Sequence, residues 1–110
     1  MSNKNVKIGD IFYSSWGYDQ TNIDYYMVTK LIGKTMVEIV EIESKYDEEN
    51  SNKYTDALLP YKVVNPIAKR YRRKVKEGWK GEPKVNIEYW RSAWKWDGKP
   101  KMATNYNYHR

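Results

Sequence analysis

The hydrophobic pattern is sharpest between Tyr25 and Ile42, where the runs YYMVTKLI and TMVEIVEI flank Gly33-Lys34. Both runs are rich in β-branched and aromatic residues, and a glycine in a two-residue connection supplies the positive φ that tight hairpins require. The pattern predicts strands over 25–32 and 35–42, with Ile32 opposite Thr35 and Tyr25 opposite Ile42. In that register one face carries Tyr25, Met27, Leu31, Met36, Val40 and Ile42 and is the better core. The other carries Val28, Val37 and Ile39 beside Tyr26, Lys30 and Glu41. Apolar residues on both faces imply a sheet that is strongly curved or covered on both sides.

Weaker patterns surround this hairpin. IFYSSW, entered through Gly9-Asp10, reads as another strand, while the polar, acidic SKYDEENSNKYTD is expected to be a mobile loop over 44–56. ALLPYKVVNP holds a short apolar strand bounded by Pro60 and Pro66, and AKRYRRKVKEGW reads as a strand or a single helical turn. NIEYWRSAWKWDGKPKMATNYNYHR predicts a second hairpin turning at Asp97-Gly98. Period two along its first strand puts Trp90, Ser92, Trp94 and Trp96 on one face and Ile87, Tyr89, Arg91, Ala93 and Lys95 on the other. Pro100 sends its returning strand to a sheet edge, and the tail 105–110 is expected to fray. Short strands, frequent turns and the absence of a heptad or repeat predict a single mainly β domain over 1–110. Its expected architecture is a strongly bent antiparallel sheet or SH3-like barrel with long loops.

Composition adds an excess of polar-tipped rings: 11 Tyr and 5 Trp stand beside one Phe. One small core does not readily bury so many, so some belong at the surface. Charge is unevenly placed. Residues 1–59 hold 6 basic and 10 acidic side chains, whereas residues 60–110 hold 14 and 4, and the chain carries a net +6. A basic half this strong favours an anionic partner.

Catalytic chemistry is poorly supplied. The single histidine, His109, sits beside the terminus, and there is no cysteine to form a disulfide, a thiolate nucleophile or a zinc site. Asp10, Asp19 and Asp24 lie close in sequence, but a carboxylate acid or base also needs a pocket that shifts its pKa. The chain is therefore expected not to be an enzyme. DQTNID offers oxygen atoms at Asp19, Thr21, Asn22 and Asp24, yet Thr21 and Ile23 break the calcium-loop alternation and no glycine follows. The segment reads instead as a turn built by side-chain-to-backbone bonds, with no metal and no cofactor. MSNKNVKIGD lacks the apolar run of a signal peptide, and no apolar stretch approaches the roughly 20 residues of a membrane span, so a cytoplasmic, soluble chain without membrane contact is expected.

Binding chemistry is better supplied. In KRYRRKVK, Lys69, Arg70, Arg72, Arg73, Lys74 and Lys76 are basic; extended, it places Arg70, Arg72, Lys74 and Lys76 on one face as a stripe for phosphates. Trp16, Tyr18, Trp94 and Trp96 are the candidate rings for stacking on unpaired bases or anchoring a partner. No helix-turn-helix pattern is present, which favours single strands or structured RNA over the major groove. The alternative is a protein partner, met through the aromatic residues and through the acidic Glu38, Glu41, Glu43 and Asp47–Glu49.

GDIFYSSWGYDQTNIDYY, followed by VTKLIGKTMVEIVEI and WDGKPKMATNYNY, resembles a family of small uncharacterised proteins encoded by bacteriophages and other bacterial mobile elements. The resemblance rests on positions 9–10, 14–22, 24–26 and 96–100 and fades across ESKYDEENSNKYTDALL. It implies no particular activity. It implies a setting, the cytoplasm of a bacterial host, and an accessory role there. Anti-defence inhibition of a host nuclease, in the manner of an anti-CRISPR protein, is one role this setting implies, while binding to nucleic acid or a nucleoprotein is the expectation from the basic run and the rings.

Overall fold

The computed structural model describes residues 6–17, 21–53, 55–78 and 81–104. Tyr18, Asp19, Gln20, His109 and the tail expected to fray lie outside the described residues. The central hairpin pairs β2 (Asn22–Ile32) with β3 (Met36–Ile42), Tyr25 lying opposite Ile42 and Met27 opposite Val40 as expected. Nearer the turn the register differs by one: Ile32 meets Met36, because Gly33-Lys34-Thr35 forms a three-residue connection and a bulge at Thr29 absorbs the extra residue. Gly33 supplies the left-handed φ of 60° that the connection needs.

Two cores explain the two apolar faces. The face expected to be the poorer one forms the main core: Tyr26, Val28, Val37 and Ile39 are buried with Phe12, Val85, Ile87 and Ala93. Tyr25, Val40 and Ile42 join Ile11 in a second cluster on the opposite side, while Leu31 and Met36 stay exposed.

The second cluster is covered by a small separate sheet. β4 (Ser44–Tyr46), β5 (Thr55–Pro60) and β10 (Lys101–Thr104) are ordered β10-β5-β4, and Leu58 packs into the second cluster beside Val64, Ala68 and Trp96. The acidic segment expected as a loop thus contains a strand and a 3-10 turn, Glu48–Asn50. Asp47 organises it: its carboxylate accepts a bond from Asn50 Nδ2 at 2.7 Å and its carbonyl accepts one from Ser51 Oγ at 2.7 Å. Side-chain-to-backbone bonding here substitutes for apolar content.

The larger sheet closes on itself. Its order is β6-β3-β2-β1-β9-β8-β7, where β1 is Ile11–Trp16, β6 Arg70–Lys74, β7 Lys76–Glu77, β8 Pro83–Glu88 and β9 Arg91–Lys95. The two outer members, β6 and β7, are halves of one segment, separated only by the buried Val75. The first half pairs with β3 and the second with β8, giving a nearly closed antiparallel barrel. Within AKRYRRKVKEGW, residues 70–77 are therefore extended and interrupted at Val75, not a helical turn.

The C-terminal hairpin is not where the turn residues placed it. β8 and β9 turn through Tyr89-Trp90, with Glu88 opposite Arg91, and β10 pairs with β5 instead of returning along β9. Gly98-Lys99 is a bend, Gly98 at φ 86°, and it hands the chain from one sheet to the other. β10 does lie at an edge, as Pro100 requires. Among the described residues no helix is long and apolar enough to cross a membrane.

Candidate nucleic-acid interface

Alternation along β6 divides the basic run between two jobs. Tyr71 packs against the main core, and the neighbouring Val75 is fully buried, so Tyr71, Arg73 and Val75 face inward while Arg70, Arg72 and Lys74 face out. Arg73, one of the expected phosphate contacts, is used within the fold. Its Nε and Nη2 donate to Asn86 O at 2.9 Å and Ile87 O at 3.2 Å, and Nη1 donates to Arg72 O at 2.9 Å. Its guanidinium also lies 5.1 Å from the Tyr71 ring centre. Arg73 thus bonds across the seam where β6 has parted from β8.

Arg70 is half committed, since its Nη1 donates to Glu38 Oε1 at 3.1 Å. Hydrogen bonding from Thr29, then from Arg70, holds the Glu38 carboxyl below its usual range. Arg72, Lys74 and Lys76 are exposed and make no ion pair among the described residues. Lys69 lies 5.0 Å from the Tyr71 ring centre. Lys30 lies opposite Glu38 on β2, and Lys84 lies opposite Lys76 on β8. The outer row therefore survives as a cationic stripe, centred on Arg72, Lys74 and Lys76.

The expected rings are mostly occupied. Trp96 lies edge-on to Tyr25 at 6.2 Å in the second cluster, and its indole donates to Lys99 O at 2.8 Å. Trp94 is half-buried with Lys84 5.1 Å from its ring centre. Trp16 donates to Asp24 Oδ2 at 2.7 Å and meets Trp90 edge-on at 5.9 Å. The most exposed ring among the described residues is Tyr89 of the β8–β9 turn, at 99%, with Trp90 beside it at 55%; Tyr46 and Tyr61 are exposed elsewhere on the surface. The Arg73 bonds to Asn86 O and Ile87 O bring the middle of β6 beside the end of β8, just before the Tyr89-Trp90 turn. The stripe thus leads toward the aromatic tip.

The same barrel end has a polar mouth. Trp16, Asp24 and Glu41 continue the inward-facing rows of β1, β2 and β3, and Arg91 of β9 donates to Asp24 Oδ2 at 2.8 Å. Asn22, expected to build a turn, starts β2 opposite Trp16, and Asp24 follows it in the strand as the acceptor for an arginine and an indole. The Arg91 guanidinium lies 5.2 and 5.4 Å from the Trp16 and Trp90 ring centres. Ser14 Oγ and Tyr26 Oη, on the same inward-facing rows, and Arg91 Nε itself are buried without a hydrogen-bond partner. Desolvation, then repulsion from Asp24, pushes the Glu41 carboxyl up. A cleft of about 620 Å³ beside the mouth is lined by Ser15, Trp16, Gly17, Trp90, Arg91, Ser92 and Trp94.

Burial also acts on two tyrosines. Desolvation pushes Tyr25 up to about 12 and moves Tyr26 upward still further. Both phenols stay protonated in the fold where the unfolded chain, with tyrosine near 10.0, has lost its protons. Their contribution is complete below pH ~10 and is lost as pH rises toward ~12, at about 1.4 kcal/mol per pH unit per group. Urea titrations from pH 8 to 12 are expected to show this fall, with the tyrosinate absorbance of these two residues appearing at unfolding.

Comparison of the chain with protein-family models, curated proteins and solved structures finds no match. Among the described residues no group of three or more His, Cys, Asp or Glu is placed to hold a metal ion.

Proposed function

We propose that this protein is a non-catalytic module that binds unpaired nucleic acid, acting as an accessory protein of a phage or other mobile element in the bacterial cytoplasm. The observation that carries the reading is the outer row of Arg72, Lys74 and Lys76 running toward the exposed Tyr89-Trp90 tip. Phosphates neutralised by the row release counterions, and bases stacking on the tip add sequence-tolerant affinity. A duplex hides its base faces and gains only the first of these terms. The mobile-element setting rests on the resemblance of the opening and WDGKP stretches.

Labelled single-stranded DNA, RNA and duplex DNA, titrated at two salt concentrations, test the reading. Single strands are expected to bind best, with log K falling by about 0.7 per tenfold salt for each phosphate engaged. Tyr89→Ala/Trp90→Ala is expected to weaken single-strand binding by about 1–3 kcal/mol for each base that stacks. Failure to bind any of the three at low salt would exclude this function.

A second reading rests on a different surface. The segment 61–68 rims a groove of about 570 Å³ beside Ile42, and Tyr61, Val63 and Ile67 are exposed, Ile67 at 89%. Exposed apolar side chains around a groove suit protein contact, as in an anti-defence inhibitor seated on a host nuclease or nucleoprotein. In that case Ile67→Asp would abolish capture of the partner while charge reversal on β6 would leave it intact.

A further inference from the structure

The mouth of the barrel combines features that neither the stripe nor the tip requires. Among the described residues Glu41 has no hydrogen-bond or ion-pair partner, whereas both donors near Asp24 are spent on that one carboxylate. Tyr26, directly opposite Glu41 in the β2–β3 ladder, is fully buried, and its hydroxyl is unpartnered although it lies in the fields of Arg91, Asp24 and Glu41. Ser14, opposite Asp24, is also fully buried with an unpartnered hydroxyl. Buried hydroxyls are ordinarily satisfied, and the Glu41 carboxylate, exposed beside Asp24, has both oxygens open, so such a constellation points to a ligand bearing donors.

We propose that this mouth receives one unpaired base of the bound strand, guanine in preference, with the Glu41 carboxylate accepting from its paired N–H donors. The inference rests on the nucleic-acid reading above. Register places Arg70 beside Val40, one residue from Glu41, and Trp16 meets Trp90 of the tip edge-on, so the stripe and the aromatic tip both reach this end of the barrel. A strand whose phosphates follow β6 delivers its bases here.

The chemistry selects among the bases. Guanine presents its ring N–H and amino group side by side, matching the two oxygens of a carboxylate. Thymine and uracil set one N–H between two carbonyls, which repel a carboxylate, and adenine and cytosine set an amino group beside a ring acceptor. Bidentate recognition of a base edge is worth about 1–3 kcal/mol of discrimination, close to tenfold or more. The Tyr26 and Ser14 hydroxyls stand deeper, where they can accept from or donate to groups of the inserted ring.

The test uses decathymidylate and versions with a single central guanine, hypoxanthine or adenine. Wild type is expected to prefer the guanine oligonucleotide about tenfold over decathymidylate, with hypoxanthine, which lacks the amino group, intermediate and adenine unfavoured. Glu41→Gln is expected to reduce the preference to below about twofold while still binding decathymidylate, because the carboxamide offers only one acceptor. Tyr26→Phe is expected to raise the unfolding midpoint, since it removes a buried unpaired hydroxyl, and to lower the guanine preference. Binding to decathymidylate without a guanine preference, or a preference that persists in Glu41→Gln, overturns the inference and leaves the nucleic-acid reading standing. No binding to any oligonucleotide overturns both.

Discussion

Arg72→Glu/Lys74→Glu is expected to weaken single-strand binding by about 100-fold near 100 mM salt and to flatten the salt dependence by roughly one to one and a half units of slope. Both side chains are exposed, and neither makes an ion pair among the described residues, so they are available to phosphates. Reversal removes two attractive charges and installs two repulsive ones on the path of the strand. The fold should tolerate the change, because β6 is joined to β3 through its backbone and through the inward Tyr71 and Val75. One local cost is foreseeable. The carboxylate introduced by Arg72→Glu would face Glu38 across the ladder, a like-charge pair worth a few tenths of a kcal/mol at an exposed site. Fluorescence anisotropy beside a thermal melt checks both halves of the prediction. A folded variant that binds as wild type removes the phosphate role of this strand.

The architecture was legible wherever the hydrophobic pattern and the backbone requirement agreed. The β2–β3 hairpin, the strand after Gly9-Asp10 and the mainly β, strongly bent fold follow from alternation and turn glycines. The Tyr89-Trp90 turn was hidden because it uses no glycine: no described residue other than glycine has positive φ, and a bulge at Ile87 adjusts the register instead. Asp97-Gly98 misled for the converse reason. Turn chemistry sets a local reversal, and here the strand that follows gains more by pairing with β5 over the second core. The site was partly legible. Charge runs reveal a stripe, but only tertiary placement separates Arg72 from Arg73 or the buried edge of Trp96 from the open face of Tyr89. The polar mouth was legible only in part: the hairpin register puts Tyr26 and Glu41 on one face, but Arg91 reaches them through the long-range β1–β9 pairing, which no local pattern reveals.

Arg73→Ala is expected to cost about 3 kcal/mol of stability, with a fall of about 15 °C in the unfolding midpoint. The residue looks like one more phosphate contact in a basic run, yet it donates to two carbonyls of β8 and one of β6. Those β8 carbonyls lie where the ladder has opened, because β6 pairs with β3 and only Lys76-Glu77 of the same segment pairs with β8. A charged donor to a neutral acceptor contributes about 1.5–3 kcal/mol, and truncation leaves part-buried carbonyls unpaired over the core formed by Val75, Val85 and Ile87. Lysine should recover less than half of the loss. Its ammonium is a single point on a flexible stem, whereas the guanidinium fork spans Asn86 and Ile87 at once. Urea unfolding of wild type, Arg73→Ala and Arg73→Lys checks the assignment, and an alanine variant within about 0.5 kcal/mol of wild type would falsify it. The consequence reaches the binding test as well: a charge reversal that includes Arg73 opens the barrel seam, and its loss of binding then reports unfolding instead of phosphate contact.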